Sequence, residues 1–176
     1  MRIAVDMDEV IADTHAAQRA AYAQAGFTAT DADLHGKRLR DLASPDAVQQ
    51  VQLQMSEGTF FANLDVIAGA VDAMADLYAR HEVFIATAAM DYPASCAHKI
   101  AWLARHFPFI AKDRIVLCGD KSIINADVLI DDHSRHFTHF AGQGVLFDAL
   151  HNKTTDWPHR LTGWADVHTT LERIAR

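Results

Sequence analysis

Short apolar runs that alternate with helix-patterned segments constrain this chain more than any other feature. The runs fall at 2–6, 82–87 (EVFIAT), 114–118, 127–130 (DVLI) and 143–147. Each is brief and bounded by polar residues, as buried strands are. Between and after them, 69–80 (GAVDAMADLYAR), 93–107 (PASCAHKIAWLARHF) and 163–175 (GWADVHTTLERIA) suit helices. Strands alternating with helices predict an α/β fold: a Rossmann-like parallel sheet with helices on both faces. One long segment breaks the alternation. Its pattern gives a helix over 13–25, with Asp13 or Thr14 as N-cap and Gly26 as the stop. A mixed polar stretch follows at 27–43, then a helix from Ser44-Pro45 through Glu57. A small helical cap inserted after the first strand is therefore expected over 15–68, with 1–14 and 69–176 forming the core domain. A chain of 176 residues is long enough for one core with such a lobe.

The formal charge of -7 argues against a partner that is a nucleic acid polymer, which more often meets a basic surface. A small phosphorylated substrate remains compatible, because a local site can be positive on an acidic protein. Cys96 and Cys118 form no CxxC pair and no zinc spacing, so both read as buried reduced thiols. The first residues carry one basic side chain, Arg2, and two aspartates interrupt their apolar stretch, unlike a signal peptide. No run approaches the roughly 20 apolar residues of a membrane span. A cytoplasmic protein with no membrane partner is expected.

Ligands of an open parallel sheet bind outside the carboxyl ends of its strands. Polar residues gather there. The first strand ends at Asp6, with Asp8 two residues on; the second ends at Thr87; DVLI ends at Asp131-Asp132; Gly119-Asp120-Lys121 follows the run at 114–118. Singly, each has an ordinary reading: an aspartate after a strand caps a turn, and a lysine is solvated. Together they place several carboxylates at one edge, where they repel one another unless a cation is present. An oxygen-rich site of this kind suits Mg2+. A hydroxyl from Thr87 and the ammonium of Lys121 can then hold a transferring phosphoryl group.

These residues also carry a resemblance. Asp6-Met7-Asp8-Glu9-Val10-Ile11 resembles the first motif, DxDx[TV][LI], of the haloacid dehalogenase-like hydrolases. Thr87, Lys121 and Asp131-Asp132 resemble the second, third and fourth motifs, in the family's order. Within that superfamily, VDMDEVIAD, GAVDAM, VFIATA, KIAWLARHF, CGDKSIINADVLIDD, ALHN and GWAD resemble the 5'(3')-deoxyribonucleotidases nearly end to end. The resemblance implies a Mg2+-dependent phosphatase acting on nucleoside monophosphates. Asp6 would be the nucleophile, forming an aspartyl-phosphate. Asp8 would protonate the leaving oxygen and then deprotonate water. The metal would be held by Asp6, the backbone carbonyl of Asp8, and Asp132 or Asp131, with Asp132 favoured as the direct ligand. Thr87, Ala88 and Lys121 would bind the phosphate. Lys99 resembles a basic residue near the family's site, although a surface helical lysine is an equal reading. A homodimer is left open.

The departures fall on the substrate side. Lys37 and Arg38 stand in the cap where an aromatic clamp is expected, Thr14 where a phenylalanine often lies, Ala88 where a serine does, and Met90-Asp91 replaces a more basic stretch. Phe60 and Phe61 could supply aromatic contact, although two adjacent phenylalanines are more often core. Weak base discrimination and a taste for a more anionic ester follow from these changes. His133, His136 and His139 could hold a second metal, but no further ligand is evident from sequence, so they read as a solvated helix face. Two alternatives remain. One is a phosphatase of the same superfamily acting on another small phosphorylated metabolite. The other is a phospho-acceptor or phosphate-binding regulatory module without turnover. The acceptor module is disfavoured because its acidic pair precedes the lysine, whereas Asp131-Asp132 follows Lys121.

Overall fold

The computed structural model describes residues 1–175. Among them, six strands form one sheet: β1 (Arg2–Val5), β2 (Glu82–Thr87), β3 (Ile115–Leu117), β4 (Val128–Asp131), β5 (Gln143–Phe147) and β6 (Arg160–Leu161). Their order is β3-β2-β1-β4-β5-β6 and every pairing is parallel. The helices are α1 (Thr14–Gln24), α2 (Leu39–Leu42), α3 (Pro45–Ser56), α4 (Ala70–Arg80), α5 (Cys96–His106) and α6 (Val167–Ile174). Five strands coincide with the apolar runs. β6 and α2 have too few residues to show a period, and neither is evident from sequence. The helix expected over 93–107 begins as a 3-10 turn at Pro93–Ser95, and that expected over 163–175 begins as one at Trp164–Asp166.

Side chains alternate across a strand. Ile3 and Val5 of β1 therefore join one apolar cluster while Ala4 joins another. The larger cluster receives Met74 and Leu77 of α4, Trp102 and Leu103 of α5, and Val167 and Leu171 of α6. The smaller one, around Ala4, Ala86, Leu129 and Leu146, is covered by Phe137 and Phe140. Phe137 closes the 3-10 turn at Ser134–Phe137.

The segment between β1 and β2 carries α1 to α4. Asp13 caps α1 by accepting from the Ala16 N–H, and Ser44 caps α3 by accepting from Ala47, with Pro45 in the first turn. The chain leaves and rejoins the core side by side. Asp13 N–H donates to the Asp65 carbonyl at 2.8 Å, and Ile67 N–H to that of Ile11 at 3.0 Å. Tyr22, Leu39, Val51, Met55 and Phe61 from this segment share one continuous apolar cluster with Met7, Val10 and Ile11. Two buried indoles tie the halves further: Trp102 Nε1 donates to the Leu64 carbonyl at 2.8 Å, and Trp164 Nε1 to that of Val10 at 2.9 Å. Among the described residues, no helix is long and apolar enough to cross a membrane.

Candidate active site

β1 is the strand at which the sheet order turns back on itself, and in such sheets the crevice at the carboxyl ends binds ligands. Asp6 follows the last residue of β1, Thr87 ends β2, and Asp131 ends β4 with Asp132 next to it. Lys121 opens a 3-10 turn beyond β3. All five are buried. Carboxylate oxygens of Asp6, Asp131 and Asp132 lie within 4.8 Å of one another. Lys121 is the ammonium among them: its Nζ is 2.7 Å from Asp6 Oδ1 and also pairs with Asp131. The contact with Asp6 is a charge contact without hydrogen-bond alignment, so Asp6 Oδ1 is buried with no donor aimed at it.

The electrostatics follow from that crowding. Burial, with Asp131 and Asp8 adding to it and Lys121 opposing, lifts the Asp6 carboxyl to about 6. Burial, with Asp131, Asp6 and Glu9 adding to it and Lys121 opposing, lifts Asp132 well above the usual carboxylate range. Burial works against the Lys121 charge, yet Asp6 and Asp131 outweigh it and hold the ammonium above its ordinary value. Glu9 was not anticipated from sequence. It has a left-handed backbone (φ 62) and lines the same cavity, and burial together with Asp13 and Asp8 lifts it to about 8. Three buried carboxylates against one lysine, one oxygen of them lacking a donor, fit a hard divalent cation bound through oxygen.

Asp8 has other partners than this trio. Thr14 Oγ1 donates to Asp8 Oδ1 at 3.0 Å, and Lys99 Nζ pairs with Asp8 Oδ2 while donating to Thr87 Oγ1 at 3.0 Å. Lys99 is 2% exposed, so the surface-lysine reading is overturned. Its α5 position is packed beneath the cavity, and its ammonium lies 4.7 Å from the Phe61 ring centroid. Thr14 thus serves as a hydrogen-bond donor to Asp8.

The cavity over these groups, about 210 Å3, is walled by side chains from the carboxyl edge of the sheet and from the segment between β1 and β2. Ala88, Lys37 and Arg38 line it, and neither Lys37 nor Arg38 is in an ion pair among the described residues. The cap nonetheless presents aromatic surface. Tyr22 of α1, Phe61, and Tyr92 of the β2–α5 connection also line the cavity, so rings other than any at positions 37 and 38 face it, Phe61 among them as one of the two phenylalanines that could supply aromatic contact. Three separate segments supply these rings, so no local pattern marks them. Phe61 is core and wall at once; Phe60 packs edge-on against it with centroids 5.2 Å apart.

The histidines differ from their sequence reading as well. Residues 134–137 form one 3-10 turn, too short for a solvated helix face, and both His133 and His136 line the cavity, whereas His139 does not. Burial lowers His133 to about 3 and His136 to about 4. His151, absent from the sequence reading, meets His133 with Nε2 3.0 Å from Nδ1. Cys118 is buried as expected, but Cys96 at the start of α5 is half-exposed; both are free thiols.

Comparison with known proteins agrees with this geometry. The whole chain, residues 1–176, matches the family described as 5' nucleotidase, deoxy (pyrimidine), cytosolic type C protein. A Staphylococcus epidermidis protein provisionally named 5'(3')-deoxyribonucleotidase is 39% identical over 176 residues, covering 99% of this chain and 98% of that one. The 5'(3')-deoxyribonucleotidase of Bacillus subtilis (strain 168) is 34% identical, covering 96% and 97%. Among solved structures, a haloacid dehalogenase-like protein of unknown function from Agrobacterium tumefaciens superposes with a TM-score of 0.62 at 12% identity, covering 99% of each chain. CbbY from Rhodobacter sphaeroides, in complex with phosphate, gives 0.57 at 13% identity, covering 97% of this chain and 98% of that one. At such identities the last two speak for the fold alone.

Proposed function

The chain belongs to the 5' nucleotidase, deoxy (pyrimidine), cytosolic type C family and is a phosphoric monoester hydrolase of the nucleotidase type, and from that premise we propose that it hydrolyses (deoxy)nucleoside monophosphates with Mg2+ through an aspartyl-phosphate on Asp6. The observation that carries the reading is the buried trio of Asp6, Asp131 and Asp132 facing Lys121 beneath a cavity with an aromatic wall.

Asp6, Asp132, Asp131 and the main chain of Asp8 are the groups that would hold the cation. Bound there, Mg2+ supplies positive charge to phosphoryl oxygens and to the carboxylates around it. The chain's own residues do the rest. An Asp6 carboxylate oxygen forms a bond to phosphorus as the bond from phosphorus to the leaving alkoxide breaks. Asp8, oriented by Thr14 and Lys99, takes up a proton before the step and gives it to that alkoxide. It then takes one from the water that attacks the aspartyl-phosphate and frees Asp6. Thr87, the Ala88 main chain and Lys121 receive the equatorial oxygens. Tyr22, Phe61 and Tyr92 line the cavity where a nucleobase would sit, and stacking on such rings is worth about 1–3 kcal/mol per base.

The unpaired Lys37 and Arg38 favour a second reading, a small phosphorylated metabolite with an additional anionic group. One experiment separates the two. kcat/KM is measured with Mg2+ for several deoxynucleoside monophosphates, for sugar phosphates and for bisphosphates, on the wild type and on Asp6→Asn. Nucleotides should lead, and folded Asp6→Asn should lose about three orders of magnitude or more. A bisphosphate preferred over every nucleotide would favour the second reading. Substantial turnover by Asp6→Asn would remove the covalent step.

A further inference from the structure

Beside the all-oxygen trio lies a group of different chemistry. His151 Nε2 is 3.0 Å from His133 Nδ1 and 3.3 Å from Asp132 Oδ2. Ligand atoms of Asp132, His133 and His151 all fall within 4.8 Å of one another. Metal–ligand bonds of about 2.0–2.1 Å in a tetrahedral shell set neighbouring donors about 3.3 Å apart, so small shifts accommodate an ion between them. The group is also held in place. Asn152, buried next to His151, donates from Nδ2 to the Asp132 carbonyl and to the Phe147 carbonyl, each at 2.8 Å. This fixes the loop after β5 against the end of β4. All three residues line the cavity, so an ion can enter and its remaining positions would face the same space.

We propose that Asp132, His133 and His151 form a second cation site, suited to a borderline transition-metal ion such as Zn2+ and sharing Asp132 with the acidic trio. Two imidazoles and one carboxylate select such ions over Mg2+, which prefers oxygen alone. Because both sites draw on Asp132, filling one alters the other.

The inference is independent of the nucleotidase reading, and its test does not use hydrolysis. Co2+ replaces Zn2+ as a visible probe, with Mg2+ present throughout, and its d–d absorption is titrated. The wild type should bind one equivalent. His133→Ala and His151→Ala should each weaken binding by at least the roughly 10–100-fold that loss of an outer-shell partner costs. Folded Asp6→Asn, which leaves the histidines intact, should still bind. His133 is the more exposed of the two, so its variant keeps the test decisive where His151→Ala fails to fold. A wild type that binds no Co2+, histidine variants with unchanged affinity, or binding lost in Asp6→Asn would each overturn the site.

Discussion

Asp6 holds its proton to about pH 6 because burial and neighbouring carboxylates disfavour its charge, and burial beside Asp131, Asp6 and Glu9 raises Asp132 as well. A bound cation requires both ionised. Raised carboxylates must therefore release protons on binding, and affinity for Mg2+ must climb as pH rises through about 6. We expect calorimetric Mg2+ titrations to give a Kd at pH 5 about tenfold or more weaker than at pH 7.5, with proton release into the buffer. A Kd independent of pH would contradict the ligand set. These aspartates were legible in the sequence because each ends an apolar run, and a parallel sheet brings such ends together. Lys99 was marked only by its resemblance to a basic residue of the family, and His151 was not singled out. A lysine within a helical pattern carries no sign of burial, and its partner Asp8 is 91 residues away. His151 meets His133 only because β5 carries the chain out and back between them.

At the scale of elements, the helices announced themselves through their ends. Asp13, Ser44-Pro45 and the glycines that stop α1 and α3 all act where their chemistry indicates. Those glycines differ in what surrounds them. Gly26 has a φ of +82° and open space around a would-be Cβ, whereas Gly58, at φ +80°, would place it 2.3 Å from the Ala94 carbonyl oxygen. That neighbour is main chain and cannot swing aside. Gly58→Ala should thus cost more than the about 1–3 kcal/mol of left-handed strain alone, and Gly26→Ala no more than that strain. Thermal melts should separate the two, at about 2–4 °C per kcal/mol for a chain of this size. Equal melting temperatures would show that the 93–95 turn yields. The elements missed from sequence are the short ones. α2 spans one turn and β6 two residues, so neither repeats often enough for a period to emerge.

For the whole molecule, the apolar cluster runs without a gap from the sheet into the segment inserted between β1 and β2. Main-chain bonds at Asp13–Asp65 and Ile11–Ile67 clamp the crossing, and the Trp102 and Trp164 indoles add to it. We expect cap and core to unfold together. Tryptophan fluorescence and far-ultraviolet circular dichroism should trace coincident urea transitions, and a separate early transition in either would assign the cap its own stability. The fold class was readable from alternation alone, while the aromatic cavity wall was not, because it is assembled from α1, the turn at 59–63 and the β2–α5 connection. The sheet's outer rails have a further consequence. β3 contributes three residues and β6 two, so both margins are the shortest strands in the sheet. A stray extended peptide finds little ladder there on which to template itself, and this brevity guards the native protein against seeding cross-β deposits. Crowded solutions should therefore stay clear, and any pairing of two copies has to rely on side-chain surfaces.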